Sequence, residues 1–314
     1  MRFRIPVALA VVMIPMAALA AKPESAVVVV PVADVWSRPL GPAEKPTDDL
    51  RETQVLYGEQ VLIHESSGPW LRIEAVEQPT YRQHNRWEGY PGWVDLRNVT
   101  FLSWRSDLRV GIASANLLTK PDDTKVIEKL PLGSVIRWIR SDAGKAHWYE
   151  VGLPSGQLGW VAVEAFPNYP DGFYPVDDLR QHMLLTAMSV NKVPYLWGGM
   201  SPEGYDCSSL THVIYRSAGE RIPRDAHEQW MKAKPIKQSE LKPADLIFSA
   251  KVENPKKITH VALYAGDEMI IEAPQAGMAV RKISFKDKYG RDLQAVESGD
   301  RVGERVLYFG SFLH

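Results

Sequence analysis

The strongest constraint on the fold is an internal repeat. Ala33-Asp-Val-Trp-Ser-Arg-Pro39 matches Ala115-Asn-Leu-Leu-Thr-Lys-Pro121. Leu56-Tyr-Gly58 with Val61-Leu-Ile63 matches Leu132-Gly133 with Val135-Ile136, Trp70-Leu-Arg-Ile73 matches Trp148-Tyr-Glu-Val151, and Gly92-Trp-Val94 matches Gly159-Trp-Val161. Each copy reads as short alternating strands punctuated by Gly, Pro and Ser, the pattern of a small barrel. Two copies are too few for a solenoid, so two tandem barrels are expected, over residues 24–103 and 104–168. The first carries an insertion, because Trp70 to Gly92 spans 22 positions and Trp148 to Gly159 only 11. That segment, Gln78 to Glu88, is polar and aromatic and reads as an exposed loop able to reach a neighbouring site.

Eight of the ten tryptophans precede residue 170, and Phe166-Pro-Asn-Tyr-Pro-Asp-Gly-Phe-Tyr-Pro175 reads as a linker into a third unit, 169–314. Apolar residues at helical spacing predict a helix from Val176 to Asn191 and a second from Cys207, with Asp206 as N-cap and Gly219 at the C-terminal end. Strands are expected at Asp245–Ser249, Ile258–Tyr264, Met269–Ile271, Ala279–Val280 and Arg305–Phe309. Helices followed by antiparallel strands make this an α+β unit.

The N-terminus reads separately. Arg2 and Arg4, an apolar run from Ile5 to Leu19 and Ala18-Leu-Ala20 form the pattern of a secretory signal peptide over residues 1–20. The run is short of the ~20 residues a membrane span needs, so the expected mature protein is exported and carries no span, in the periplasm or outside the cell. With 37 Lys+Arg against 38 Asp+Glu, nothing favours a nucleic-acid partner.

Cys207 is the only cysteine among 314 residues, which excludes an intrachain disulfide and a cysteine-based zinc cluster. At the first turn of a helix its thiolate would be favoured by amide donors and the helix dipole. A nucleophilic thiol needs a base. His212 lies about 140° around the same helix and points away. His182 and His227 fall in polar helical patterns, the setting of solvated surface histidines. His260 interrupts an otherwise apolar strand and is the candidate. No His-Glu-x-x-His or paired His/Cys spacing suggests a metal, and no cofactor is expected.

Tyr195-Leu-Trp-Gly-Gly199, Asp206-Cys-Ser-Ser-Leu210 and His260-Val-Ala-Leu-Tyr-Ala-Gly266 resemble the signature of the NlpC/P60 family, and the two repeats resemble bacterial SH3-like domains closed by Gly-Trp-Val. The resemblance implies a papain-like α+β peptidase domain behind two SH3-like barrels. It implies cysteine-peptidase activity on peptidoglycan stem peptides, similar to γ-D-glutamyl-L-diamino-acid endopeptidases, by a chain expected to act as a monomer. Carried over by position, Cys207 is the nucleophile and His260 the general base. Glu272, twelve positions on, stands where the family commonly has histidine; a carboxylate can still orient the imidazole, or Glu272 can be a salt-bridged structural residue. The Cys207 N–H would hold the oxyanion with Tyr195 nearby. Asp225, which could equally cap a helix, would bind the free amine of an N-terminal L-Ala. Ser208 would contact substrate, and Glu59 and Tyr90 would close the pocket. An inactive wall-binding protein, or an amidase cutting another peptidoglycan bond, are the rival functions.

Overall fold

A computed structural model describes residues 23–81, 84–142, 147–166 and 176–313. The expected signal peptide and nearly all of the expected linker lie outside the described residues. No described helix is long and apolar enough to cross a membrane.

Residues 24–100 form a seven-stranded antiparallel sheet, in which strand Trp70–Thr80 runs between Gln60–Ser67 and Glu88–Asp95. Alternation decides which face is buried: Leu71, Ile73 and Ala75 turn inward with Val35, Val55, Val61 and Val94 to make a core of their own. Residues 108–162 form a second, six-stranded sheet around Leu117, Leu130, Ile136, Val151 and Val161. The repeated Gly-Trp-Val has one physical reason in both. A Cβ on Gly92 would stand 2.4 Å from the Val35 side chain, and one on Gly159 2.7 Å from that of Leu117. Each sheet curls until its closing strand bridges to the second strand of its copy, Trp93 to Trp36 and Trp160 to Leu118, and only glycine allows that approach.

The insertion is not an exposed loop throughout. Strand Trp70–Thr80 extends into it, burying Gln78 and Thr80 completely, while His84 to Trp87 are exposed.

In the C-terminal unit an antiparallel sheet runs in the order Lys234–Pro235, Arg305–Ser311, Leu246–Lys251, Ile258–Gly266, Met269–Glu272, Arg281–Ser284. Helices α1 (Val176–Ser189) and α2 (Cys207–Ser217) cover one face through Met183, Ala187, Leu210, Val213 and Ile214. The other face buries Ile247, Ala262, Ile270, Phe285 and Phe309, with α4 (Phe285–Tyr289) across it. Between α2 and the sheet's first strand lies α3 (Ala226–Lys232). The expected strand at Ala279–Val280 is absent. Those residues bond instead to the segment before Tyr195-Leu-Trp-Gly-Gly199, the glycine loop (Ala279 bridges Pro194, Val280 N–H donates to Val193), and the strand begins at Arg281.

The three units share a buried seam of charge. Arg216 of α2 donates to Glu59 at 2.8 Å and stands 3.3 Å from Glu77, both on the first sheet. Arg109 of the second sheet reaches the same Glu77 at 2.8 Å.

Candidate active site

A groove of about 590 Å³ runs between the first sheet and the C-terminal unit. Its walls include Glu52 and Tyr90 from the first, and Tyr195, Cys207, Ser208 and Asp225 from the second.

Cys207 opens α2. The Asp206 carboxylate caps the helix by accepting the Ser209 N–H at 2.7 Å and is itself gripped by Arg224 at 2.7 Å. Arg224 is 1% exposed and also donates to Ser208 and, across the seam, to Thr53. Burial acts to raise the Asp206 carboxyl, but Arg224 and the cap hydrogen bonds outweigh it and hold it below the usual carboxylate range. The thiol moves the other way. Desolvation and the Asp206 charge push Cys207 up to about 12, against the pull of Arg224 and the N–H groups of Val261 and Ser208. The helix-start donors anticipated from the sequence are therefore present but outweighed.

The candidate base lies on the sheet. α2 packs on strand Ile258–Gly266, and the Val261 N–H that reaches the thiol follows His260 directly. His260 is 8% exposed, and its Nε2 lies 2.7 Å from Glu272 Oε2 on the adjacent strand. With Nε2 engaged, Nδ1 is the nitrogen left to take a proton. Glu272 is fully buried. Desolvation acts to raise it, yet His260 and Lys288 hold it down at about 2, so it is ionised throughout the working pH range. Tyr195 lines the same groove, its hydroxyl shifted upward by burial and by Cys207 and Asp206.

Asp225 occupies the N-cap position of α3, but its side chain makes no capping bond. The Tyr90 hydroxyl lies 3.3 Å from its Oδ2 and 3.5 Å from Glu52 Oε2. Two carboxylates from different units thus converge on one hydroxyl. Ser208 lines the groove with its hydroxyl committed to Asp206 and Arg224.

Glu59 does not line the groove. It is fully buried, accepting from Leu56 N–H, Gln78 and Arg216. It follows the Tyr57-Gly58 turn, which directs the carboxylate into the seam against α2, where a buried guanidinium requires an anion. The first sheet's groove acid is Glu52. Its signal was a polar run, Arg51-Glu-Thr-Gln54, opening a strand that is otherwise apolar. That run is the contact strand: Arg51 donates to the Trp197 carbonyl, and Gln54 accepts the Met200 N–H at 2.7 Å. Gly198 has φ +68, and a Cβ there would meet the Arg51 carbonyl at 2.8 Å. Pressed against the first sheet, the glycine loop needs its glycine.

His227 also differs from expectation. It lines the groove, its ring stacked on Trp230 and its ionisation lowered by burial and Lys257. The insertion reaches the site's neighbourhood: Thr80 Oγ1 and Tyr81 N–H both donate to Glu228 of α3, and Lys232 lies over the Trp87 ring. His212 faces away from Cys207, buried against the Ile222 carbonyl. Among the described residues no three His, Cys, Asp or Glu side chains are grouped to hold a metal ion.

A cysteine at a helix start, beside a strand histidine bound to a buried carboxylate, defines a cysteine peptidase on an α+β scaffold. Residues 192–295 match the NlpC/P60 family. The chain is 30% identical over 238 residues to a γ-D-glutamyl-L-lysine dipeptidyl-peptidase of Bacillus cereus, covering 74% of this chain and 70% of that one. It is also 30% identical over 257 residues to the Bacillus subtilis protein of the same name, 80% and 81% of the two chains. A crystal structure of an NlpC/P60 family protein from Bacillus cereus superposes with a TM-score of 0.72 at 26% identity, covering 93% of this chain and all of that one. The chain belongs to the NlpC/P60 family.

Proposed function

We propose that the protein hydrolyses the γ-D-glutamyl–L-diamino-acid bond of peptidoglycan stem peptides, taking fragments that carry a free N-terminal L-Ala. The observation that carries this reading is the meeting of Glu52 and Asp225 on Tyr90, in the groove that also holds Cys207. A cluster of two carboxylates suits an ammonium, and the names of the Bacillus relatives supply the bond.

In this mechanism His260 Nδ1 takes the Cys207 proton and Sγ attacks the γ-carbonyl carbon of D-Glu. The Cys207 N–H holds the oxyanion with Tyr195. As the tetrahedral intermediate collapses, the imidazolium gives its proton to the leaving amine of the diamino acid. Water, deprotonated by His260, then attacks the thioester, and the imidazolium returns the proton to the departing sulfur, releasing L-Ala-D-Glu and the thiol. Glu272 fixes the imidazole tautomer and stabilises the imidazolium as it forms.

The division 24–103, 104–168 and 169–314 into three domains, with SH3-like architecture in the first two, is supported by three cores, which meet where Leu56 and Leu132 pack into the C-terminal one and Tyr57 into the second. Export through cleavage after about residue 20 would place the enzyme where its substrate is.

The test compares L-Ala-γ-D-Glu-diaminopimelate with the same peptide N-acetylated, in wild type and Asp225→Asn. The expected result is a strong wild-type preference for the free amine, falling at least ten-fold in the variant. Equal wild-type rates on both peptides would refute the amine preference, and absence of γ-bond cleavage would refute the reaction.

A further inference from the structure

Glu272 serves more partners than an orienting residue needs. Its Oε2 meets His260 Nε2 at 2.7 Å, and its Oε1 accepts from Arg281 Nη2 at 2.8 Å and Nε at 3.1 Å. Lys288 Nζ lies 2.9 Å from Oε2 and 3.2 Å from Oε1. The three partners come from three elements: His260 from Ile258–Gly266, Arg281 from the strand on the far side of Glu272, and Lys288 from α4. The helix that delivers Lys288 is anchored by fully buried Phe285 and ends at Gly290.

One buried anion facing one imidazole would stabilise the imidazolium. Here the anion is shared between two fixed cations, and Glu272, Arg281 and Lys288 together carry a net charge of +1. The other ionisable groups packed around the pair are the Cys207 thiol on α2, the Tyr289 hydroxyl on α4, and Arg305, whose guanidinium donates to Thr259 beside His260.

Resting on the reading of Cys207, His260 and Glu272 as the catalytic set, we propose that Arg281 and Lys288 are positioning residues that lock the Glu272 carboxylate onto His260 and offset its charge at the ring. The carboxylate then supplies geometry, an acceptor that leaves the Nδ1 lone pair for the thiol, without locking the proton on the ring.

The test is Lys288→Met, with Lys288→Arg as the charge-conserving control, read by the rate of Cys207 alkylation by iodoacetamide across pH, without peptide. Removing a cation one carboxylate away from the ring favours the imidazolium. The neutral-pH alkylation rate is expected to rise several-fold, because more of the dyad exists as thiolate–imidazolium. In peptide hydrolysis the acid limb of the kcat/KM profile should move to higher pH, and Lys288→Arg should behave as wild type. Alkylation and limb unchanged in a Lys288→Met protein that only melts earlier would overturn the proposal and leave the cations as structural clamps. Should Lys288→Met not fold, Arg281→Gln is scored by the same two outcomes. Because alkylation needs no substrate, it stays readable if the proposed peptide specificity fails.

Discussion

Glu59→Gln separates two accounts of the first sheet. As a groove residue, Glu59 would affect substrate; as the structure has it, the change strikes the seam. Glu59 and Arg216 are 0% and 3% exposed and 2.8 Å apart. Removing one partner of a buried pair costs about 3–5 kcal/mol, chiefly through the charge left behind. The low end applies here, about 3 kcal/mol, since Glu77 still stands 3.3 Å from Arg216 and glutamine keeps an acceptor for the Leu56 N–H. The assay is urea unfolding of wild type, Glu59→Gln and Glu52→Gln, beside KM for the free and N-acetylated tripeptides. Glu59→Gln should lose about 3 kcal/mol and keep its KM ratio. Glu52→Gln, on the groove wall, should stay within about 0.5 kcal/mol of wild type while KM for the free peptide rises roughly ten-fold. A Glu59→Gln protein of unchanged stability that has lost the preference for a free amine would refute this reasoning.

Cys207→Ala should abolish cleavage and preserve the unfolding midpoint, His260→Ala should be nearly as damaging, and the double variant little worse than either, measured by product release from the tripeptide. Unchanged turnover in Cys207→Ala would remove it from the chemistry. Acid stability follows from two buried carboxylates. Burial acts to raise both, but His260 and Lys288 hold Glu272, and Arg216 and Arg109 hold Glu77, at about 2. Because the folded values lie below the unfolded one, the stability these groups contribute is present above about pH 4.5 and lost as pH falls from there towards 2, roughly 2–3 kcal/mol each. Urea midpoints taken from pH 5 to pH 3 should fall steeply in wild type and less so in Glu77→Gln; a flat wild-type curve would contradict the assignment.

What was legible in the sequence was local. The Asp206 cap and the apolar face through Leu210, Val213 and Ile214 place Cys207 at a helix start before any tertiary contact is known. A histidine inside an apolar strand draws the eye to His260, and the closing glycines of the repeat mark where each sheet must curl shut. Partners brought by the fold left no such trace. Arg281 and Lys288 look like ordinary surface cations on a short strand and a five-residue helix. Arg224 sits next to Asp225 in sequence, yet its work is on Asp206 eighteen positions back and on Thr53 in another unit. Glu59 and Glu52 are seven positions apart on one β unit, and which of them meets the groove depends on how α2 docks against the sheet. Strand alternation says which face a residue takes but not what the face is pressed against. His227 failed for the same reason: a polar helical pattern identifies a face turned from its own core, and here that face borders the groove.

The contact strand Arg51–Leu56 ties the wall of the groove to the loop after Tyr195 and to Arg224, so the groove acids and the sulfur are held in one hydrogen-bonded frame. Such a frame works as a ruler. Under the proposed function the point of scission would be counted from the peptide's own beginning, two residues in, and would owe little to the identity of the residue that departs. An enzyme built this way would release a dipeptide of constant size from remnants of varied tails, and would find no purchase on a strand whose first amine is already spoken for.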